Sequence, residues 1–575
     1  MKKTQQQHLL TAEGESLLSC GRIPWDTHPR PLMQRDSFFC LNGMWQFSAR
    51  ADGDFDEEIR VPFAPESLLS GICRRLGKNP VIRYRRTFSL PENFRPAYPH
   101  RVLLHFDAVD QIASVSLNHA ELGTHKGGYE PFAFDITEAL EAENTLTVMV
   151  RDELHRKILP YGKQCEKRGG MWYTPVTGIW QTVWLECVPE QYVRTLTIRI
   201  GADSAEITAE GAKHGEIVLT TPDGEECFPL ENERAVIRPS AVRPWSPEDP
   251  YLYRFTLHTG DDCIRSYFAL RTLSVQSVGG IERLCLNGKP IFLHALLDQG
   301  YWSDGIFTPA SPASYEKDIL SAKALGFNTL RKHIKIEPQR FYYDCDRLGM
   351  LVMQDFVNNG SYSFLRDTAL PTLGLKKLPS FLLHRPKAVR DAFREAMCSS
   401  VRALFAHPSV IYWTIFNEGW GQSDSARIYD TLYSLDDSRF IDTASGWFSS
   451  KNLPTDTESL HVYFKPVKLK KSDKPIVLSE FGGYSFKPAG HVFNPAKTYG
   501  YRFFSDRQTY EDALVKLYEE EILPAVSLGL CGAVYTQLTD VEDETNGLYS
   551  YDRKICKVDA ERICRISKQL TGYVY

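Results

Sequence analysis

Two stretches of this chain end an apolar run in a carboxylate with glycine close behind. One is Val410-Ile411-Tyr412-Trp413-Thr414-Ile415-Phe416-Asn417-Glu418-Gly419, the other Pro475-Ile476-Val477-Leu478-Ser479-Glu480-Phe481-Gly482-Gly483. Two carboxylates facing one bond suit acetal cleavage. One is held protonated to release the leaving oxygen, and the other is ionised to attack or to activate water. Mutual repulsion between partly buried carboxylates pushes one of them toward the protonated form. On this reading Glu418 is the general acid/base and Glu480 the nucleophile, with Asn417 placed to hydrogen-bond a sugar 2-hydroxyl. A single glutamate after a strand is more often a helix cap or an arginine's partner; two such strand ends in one region favour chemistry.

The elements that must position this pair follow from the texture of the sequence. Apolar, β-branched and aromatic runs without polar alternation are strands buried on both faces, the mark of a parallel sheet. Catalytic groups at the C-terminal ends of such strands are the habit of (β/α)8 barrels, and residues 276–575 have about the length of one. Within them a helix is expected over Tyr315–Leu325 with Gly326 as its cap, a strand over Asn328–Arg331, a helix over Pro338–Leu348, a strand over Leu351–Asp355 and a helix over Ala388–Phe405. The spacing between the two glutamates leaves room for two strand–helix units and the return to Glu480. Residues 1–188, in which Leu41–Val188 reads as short strands and turns, form a jelly-roll β-sandwich, and 189–275 an immunoglobulin-like β-sandwich. The Pro244–Pro250 stretch is a rigid connection inside the second.

Composition excludes other classes. The 575 residues carry a net charge of −5, which offers nothing to nucleic acid or an anionic membrane. No run approaches 18 apolar residues, so no helical membrane span is expected, and Met1–His8 lacks the apolar core of a signal peptide. Thirteen cysteines, odd in number and with no metal-ligand spacing, fit reduced thiols and a cytoplasmic location. No cofactor or metal is expected.

Over essentially its whole length the chain resembles glycoside hydrolase family 2, the family of β-galactosidases, β-glucuronidases and β-mannosidases. Asn417-Glu418 is similar to that family's acid/base motif, and Ser479-Glu480-Phe481-Gly482 to its nucleophile motif. Leu41-Asn42-Gly43-Met44-Trp45, Gly127-Gly128-Tyr129-Glu130-Pro131-Phe132, Gly178-Ile179-Trp180, Trp245-Ser246-Pro247-Glu248 and Asn328-Thr329-Leu330-Arg331 follow in family order. The resemblance implies retention of configuration through a covalent glycosyl-enzyme, and it implies dimers or tetramers in many members. His461 and Tyr463 match a family position near the sugar.

Other polar residues stand at strand ends where a substrate pocket would lie. They are Asp298 and Trp302 after the first strand, Arg331 and His333 after the second, Asp355 after the third, and Gln537 and Asp540 late in the barrel. Arg331 is equally suited to orienting a catalytic glutamate, and Trp447 and Trp420 to stacking on sugar or packing the wall. The sugar itself is narrowed by departures. Leu296-Leu297-Asp298-Gln299-Gly300 replaces the His-rich segment of large β-galactosidases. Glu544-Thr545-Asn546-Gly547-Leu548 lacks the lysine two places after asparagine with which β-glucuronidases hold a uronate. The surroundings of Glu418 are not mannosidase-like. The expected activity is an exo-acting retaining β-glycosidase of β-galactosidase type; the alternatives are another glycone (glucuronide, mannoside, pentoside or furanoside) or a non-catalytic carbohydrate-binding protein. Specificity is expected in the long loops Val357–Pro379 and Tyr484–Arg507.

Overall fold

The computed structural model describes residues 7–572 apart from 95, 97, 380–382, 384 and 451. Eight parallel strands form the C-terminal barrel: β1 (Leu293–Asp298), β2 (Thr329–Lys332), β3 (Leu351–Asp355), β4 (Val410–Asn417), β5 (Phe440–Ser445), β6 (Glu458–Val462), β7 (Ile476–Gly482) and β8 (Leu530–Thr536). Each pairs with its neighbour in sequence and β8 returns to β1, while β5 and β6 meet without a continuous ladder. All eight positions of β4 are buried, as its unbroken apolar run requires. Trp413 there is fully buried and its indole N–H donates to Asp436 Oδ2 at 2.8 Å, so a bulky side chain enters the core without an orphaned donor.

The helices α1 (Ala313–Ala324), α2 (Gln339–Leu348) and α3 (Lys387–Leu404) lie within two residues of the expected bounds. Pro338 and Pro386 precede α2 and α3, where a missing N–H costs nothing. Val389, Phe393, Met397, Val401 and Leu404 give α3 one buried stripe at helical spacing. The alternation then departs from expectation. A helix, α4 (Ser425–Leu435), joins β4 to β5, yet among the described residues no α-helix joins β5 to β6 or β6 to β7. Pro454 and Pro466 stand in those connections, and the second is crowded with like charges at Lys468, Lys470 and Lys471.

The N-terminal domain is a sandwich of a six-stranded and a four-stranded antiparallel sheet, closed over one apolar core that includes Trp45, Phe47, Tyr84 and Phe106. The middle domain, between Thr195 and Phe268, is a single seven-stranded antiparallel ladder, not two separately bonded sheets; its strands alternate buried and exposed positions and share one core. Residues 7–25 run from the barrel to the sandwich, where Asn42 Nδ2 donates to Pro24 O at 3.1 Å. Thr11 donates through backbone and side chain to Asp304, and the Trp25 indole to Pro309 O, so this arm lies on the barrel. No helix is long and apolar enough to cross a membrane, and no disulfide occurs, among the described residues.

Candidate active site

The barrel directs the predicted residues to one place because side chains at the ends of successive parallel strands converge on the axis. Asn417 ends β4, and Glu418 leaves it in the left-handed region (φ 50°), its N–H donating to Ser445 Oγ at 3.1 Å. Glu480 lies within β7 and His461 within β6, with Tyr463 one residue beyond. One carboxylate oxygen each of Glu418 and Glu480 and a ring nitrogen of His461 all lie within 4.8 Å of one another. His461 Nδ1 is 3.3 Å from Glu418 Oε1 and 3.8 Å from Glu480 Oε2.

The two carboxylates live in different surroundings. The Glu480 side chain is 6% exposed; Arg331 Nη1 donates to its Oε1 at 3.1 Å and the Tyr463 hydroxyl to its Oε2. Burial pushes Glu480 up, but the His461 and Arg331 charges, His333 and the Tyr463 hydrogen bond outweigh it and hold the carboxyl down at about 2. Tyr463 is itself pushed well above the usual tyrosine range by burial and by Glu480, so it remains a donor. Glu418 is more open, 15% exposed.

Arg331 ties the strands together. It is fully buried and donates to Asp355 Oδ1 (3.0 Å), Ser479 O (2.7 Å), Glu480 Oε1, Asn417 Oδ1 (2.8 Å) and Ser445 Oγ (3.2 Å). With its donors so committed it orients the site and leaves no fork for sugar. Asp355 receives Arg331 and His333 Nδ1 (2.9 Å); burial raises its pKa, and the Arg331 charge reverses this to a net lowering. His333 is pushed down by burial. Asp355 is thereby a buried support, not a second nucleophile. Asn417 keeps its Oδ1 on Arg331 and Ser445, while its buried Nδ2 has no partner and is free to donate to a ligand oxygen.

Four predicted residues turn away from this centre. Asp298 is bound to Lys332 Nζ (2.6 Å) and Gly300 N–H (2.9 Å). Trp302 packs edge-on against Tyr315 beneath the Arg553 guanidinium, 4.0 Å from its ring. Asp540 pairs with Lys557 (2.5 Å) and accepts the Gly547 N–H (2.9 Å). Gln537 donates to Glu544 Oε2 (2.8 Å) and Asn546 Oδ1 (2.7 Å), a support for those two side chains. Asp298 is the last residue of β1, and the other three sit in the turns after their strands, where the chain swings a polar group onto a local partner. Trp447 is a half-buried wall residue with Lys376 5.9 Å above its ring. Trp420 is buried in an aromatic wall, stacked on Trp172 at 5.5 Å and edge-on to Tyr362.

Several residues at the centre carried no signal in the sequence. Tyr501, from the long loop after β7, stacks on Tyr463 at 3.7 Å. Gly446 (φ 58°) is required because a Cβ there would lie 2.1 Å from His461 Cδ2 and 2.6 Å from its backbone nitrogen. Residues 161–177 of the sandwich domain lie over the barrel mouth and bring Lys163 and Trp172 to it: the Tyr161 N–H donates to Asn358 O (3.1 Å), the Thr174 N–H to Glu542 Oε1 (2.9 Å), and Arg168 Nη1 to Glu542 Oε2 (3.1 Å). Among the described residues, Glu418, His461 and Glu480 are also the one cluster with the spacing of metal ligands. The guanidinium already on Glu480 Oε1 opposes a cation there.

Residues 74–209 match the model of the glycosyl hydrolase 2 galactose-binding domain-like module, and residues 281–550 that of the glycosyl hydrolase family 2 TIM barrel domain. The chain belongs to glycoside hydrolase family 2. Within the family it is 25% identical over 347 residues to a β-galactosidase of Thermoanaerobacter pseudethanolicus (55% of this chain, 44% of that one). It is 28% identical over 445 residues to a β-galactosidase of Aeromonas hydrophila (70% and 40%), and 24% identical over 420 residues to a β-glucuronidase of Bacteroides fragilis (66% and 56%). The match thus spans less than half the length of the two β-galactosidases. The solved structure of a β-D-glucuronidase from Dictyoglomus thermophilum aligns with TM-score 0.72 at 17% identity over 94% of this chain and 98% of that one. A family 2 β-galacturonidase from Eisenbergiella tayi aligns with TM-score 0.67 at 19% identity over 95% and 99%. At those identities the shared property is the fold. The family 2 chain described here carries its two glutamates at the strand ends where the barrel concentrates polar side chains.

Proposed function

We propose that this protein is an exo-acting retaining β-glycosidase in which Glu480 is the nucleophile and Glu418 the general acid/base. The observation that carries the reading is the approach of the two carboxylates to within 4.8 Å. Retaining enzymes hold the pair about 5–5.5 Å apart, whereas inverting enzymes leave about 6.5–9.5 Å for a water. Glu480, held ionised, attacks the anomeric carbon as Glu418 gives its proton to the departing glycosidic oxygen. In the second half Glu418 takes a proton from water, whose oxygen displaces Glu480 from the same carbon. Asn417 Nδ2 donates to the 2-hydroxyl, and Tyr463 holds Glu480 until the bond forms. The curated relatives support a β-galactosidase-type pyranoside as the first glycone to test. The middle domain is assigned to the immunoglobulin-like class on its size and its seven antiparallel strands.

A panel of p-nitrophenyl β-glycosides run on the wild type and on Glu480→Gln tests the mechanism. Turnover of at least one sugar is expected, with a loss of about 10^4-fold or more in the variant, since the covalent route is removed. A 2-deoxy-2-fluoro glycoside of the active sugar should label Glu480, read by peptide mapping; a label on another residue overturns the assignment. Saturable sugar binding with no turnover of any glycoside would identify a carbohydrate-binding protein instead.

A further inference from the structure

Among the described residues four lysines are almost completely buried: Lys163, Lys332, Lys335 and Lys557. Three are neutralised on the spot, Lys332 by Asp298 and Glu337, Lys335 by Glu337, and Lys557 by Asp540. Lys163 is the exception. It is 7% exposed, its ammonium forms no ion pair or hydrogen bond among the described residues, and that ammonium rests 4.9 Å from the centroid of Trp420. A cation–π contact repays only part of the cost of taking an ammonium out of water. A buried charge without a partner is costly, which makes this lysine a candidate for a functional site whose ligand supplies the counter-charge.

Its placement says which ligand. Lys163 comes from the sandwich domain, not from a barrel strand, and its backbone is fixed against the barrel: Gly162 takes φ 64°, and a Cβ there would stand 2.7 Å from Ile334 O. Gln164, its other neighbour, donates to Asp110 Oδ2 (2.7 Å) and accepts the Val176 N–H (2.8 Å). The ammonium is close enough to act electrostatically on His333 and on Glu544, and Glu544 in turn feels Glu480. Trp420, on which the ammonium rests, stands two residues after Glu418, so Lys163 lies beside the end of β4 that carries the acid/base.

We propose that Lys163 is the specificity-determining cation of this site and that the preferred glycone is acidic, a hexuronic acid whose carboxylate meets the Lys163 ammonium while its anomeric carbon faces Glu480. This rests on the retaining-glycosidase reading and narrows its glycone from neutral to acidic. A neutral hexoside presents a hydroxymethyl at that position and leaves the charge uncompensated. The lysine that is missing two places after Asn546 is thereby replaced by one from another domain.

The experiment compares p-nitrophenyl β-D-galacturonide, β-D-glucuronide and β-D-galactoside on the full chain and on Lys163→Met and Lys163→Arg. The wild type should prefer one uronide to the galactoside, and Lys163→Met should lower the uronide-to-galactoside ratio of kcat/KM by about 100-fold, mainly through KM, as loss of a charge-assisted hydrogen bond predicts. Lys163→Arg should recover part of that ratio. Preference for the neutral sugar, or a ratio unmoved in Lys163→Met, overturns the proposal while leaving the glycosidase intact. Silence toward all three, with no covalent labelling by their 2-fluoro analogues, is instead the failure of the glycosidase reading and takes the proposal with it. Should Lys163→Met not fold, product inhibition of the wild type decides: free galacturonate or glucuronate inhibiting at least tenfold more strongly than galactose supports the proposal, and equal inhibition overturns it.

Discussion

Arg331 donates at once to Glu480, Asp355 and Asn417, and this defines what its loss would do. Its charge holds both Asp355 and Glu480 ionised in a dry environment. Replacing it with methionine leaves two buried carboxylates without their counter-ion, a defect that costs about 3–5 kcal/mol. Arg331→Met should lower the urea midpoint accordingly and reduce kcat. It should also shift activity with pH. Glu480 is depressed from 4.5 to about 2, so its contribution to stability is fully present above pH 4.5 and is lost as pH falls from there through about 2. The acid limb of wild-type kcat/KM is then not set by Glu480 near neutrality; in Arg331→Met the group titrates higher and the limb moves up. An acid limb that stays in place would show that Arg331 does not govern the nucleophile. Glu544 has the opposite sign. Burial raises it to about 7, with Lys163 and Tyr173 opposing and Glu480 adding to the shift, so its stabilisation is present below pH 4.5 and is lost as pH rises through about 7. Thermal melts of the wild type and Glu544→Gln across pH 5–8 should therefore converge as pH falls, the glutamine variant being less sensitive to alkali.

At the scale of elements, the site depends on how each strand ends. Gly446 follows β5 in the left-handed region and accepts the His461 ring against its backbone. Gly446→Ala pays twice, for a φ that side chains avoid and for a Cβ placed inside His461. The expected result is a destabilisation of about 1–3 kcal/mol together with a fall in kcat, because His461 touches both carboxylates; a variant with wild-type kcat would show that the His461 position is not critical. Strand ends also explain what could be read in advance. Glu418 and Glu480 were legible because a parallel strand buried on both faces is an apolar run, and a carboxylate that stops one has few structural uses. Asn417, Arg331 and His333 followed from the same rule, while His461 and Tyr463 came from the family resemblance. The rule fails four residues past the strand end. Asp540 finds Lys557, far along the chain, and Trp302 folds outward beneath Arg553, since the turn after a strand, not the strand, sets the direction of its side chains. The connections after β5 and β6 were misread as helical units because barrel length, not local pattern, suggested them; their prolines argued otherwise.

At the scale of the whole molecule, the barrel is incomplete alone, which no strand pattern inside it reveals. The wall carrying Lys163 and Trp172 belongs to the sandwich domain and is pinned to the barrel at one end through Tyr161 on Asn358 and Gly360, and at the other through Glu542, which accepts the Thr174 N–H and pairs with Arg168. Trp172 then stacks on Trp420, so the aromatic wall is shared between domains. Glu542 is buried, and removing it orphans the Thr174 N–H and leaves the Arg168 guanidinium only its longer pairing with Asp543 (3.5 Å), a loss of about 1–3 kcal/mol by the cost of an unpaired buried donor. Glu542→Ala should therefore lower thermal stability and raise KM for the preferred glycoside well before kcat, because the catalytic pair is carried by barrel strands that the change does not touch. The two effects separate by measurement: saturation kinetics well below the melting transition report the wall, and the melt reports the pin. A tenfold or larger rise in KM with kcat held within about threefold is the expected signature of lost substrate positioning. A parallel loss of kcat would mean that the sandwich domain orders the glutamates themselves, and an unchanged KM would mean that the loop keeps its place through Tyr161 and the barrel loop at Asn358 without help from Glu542.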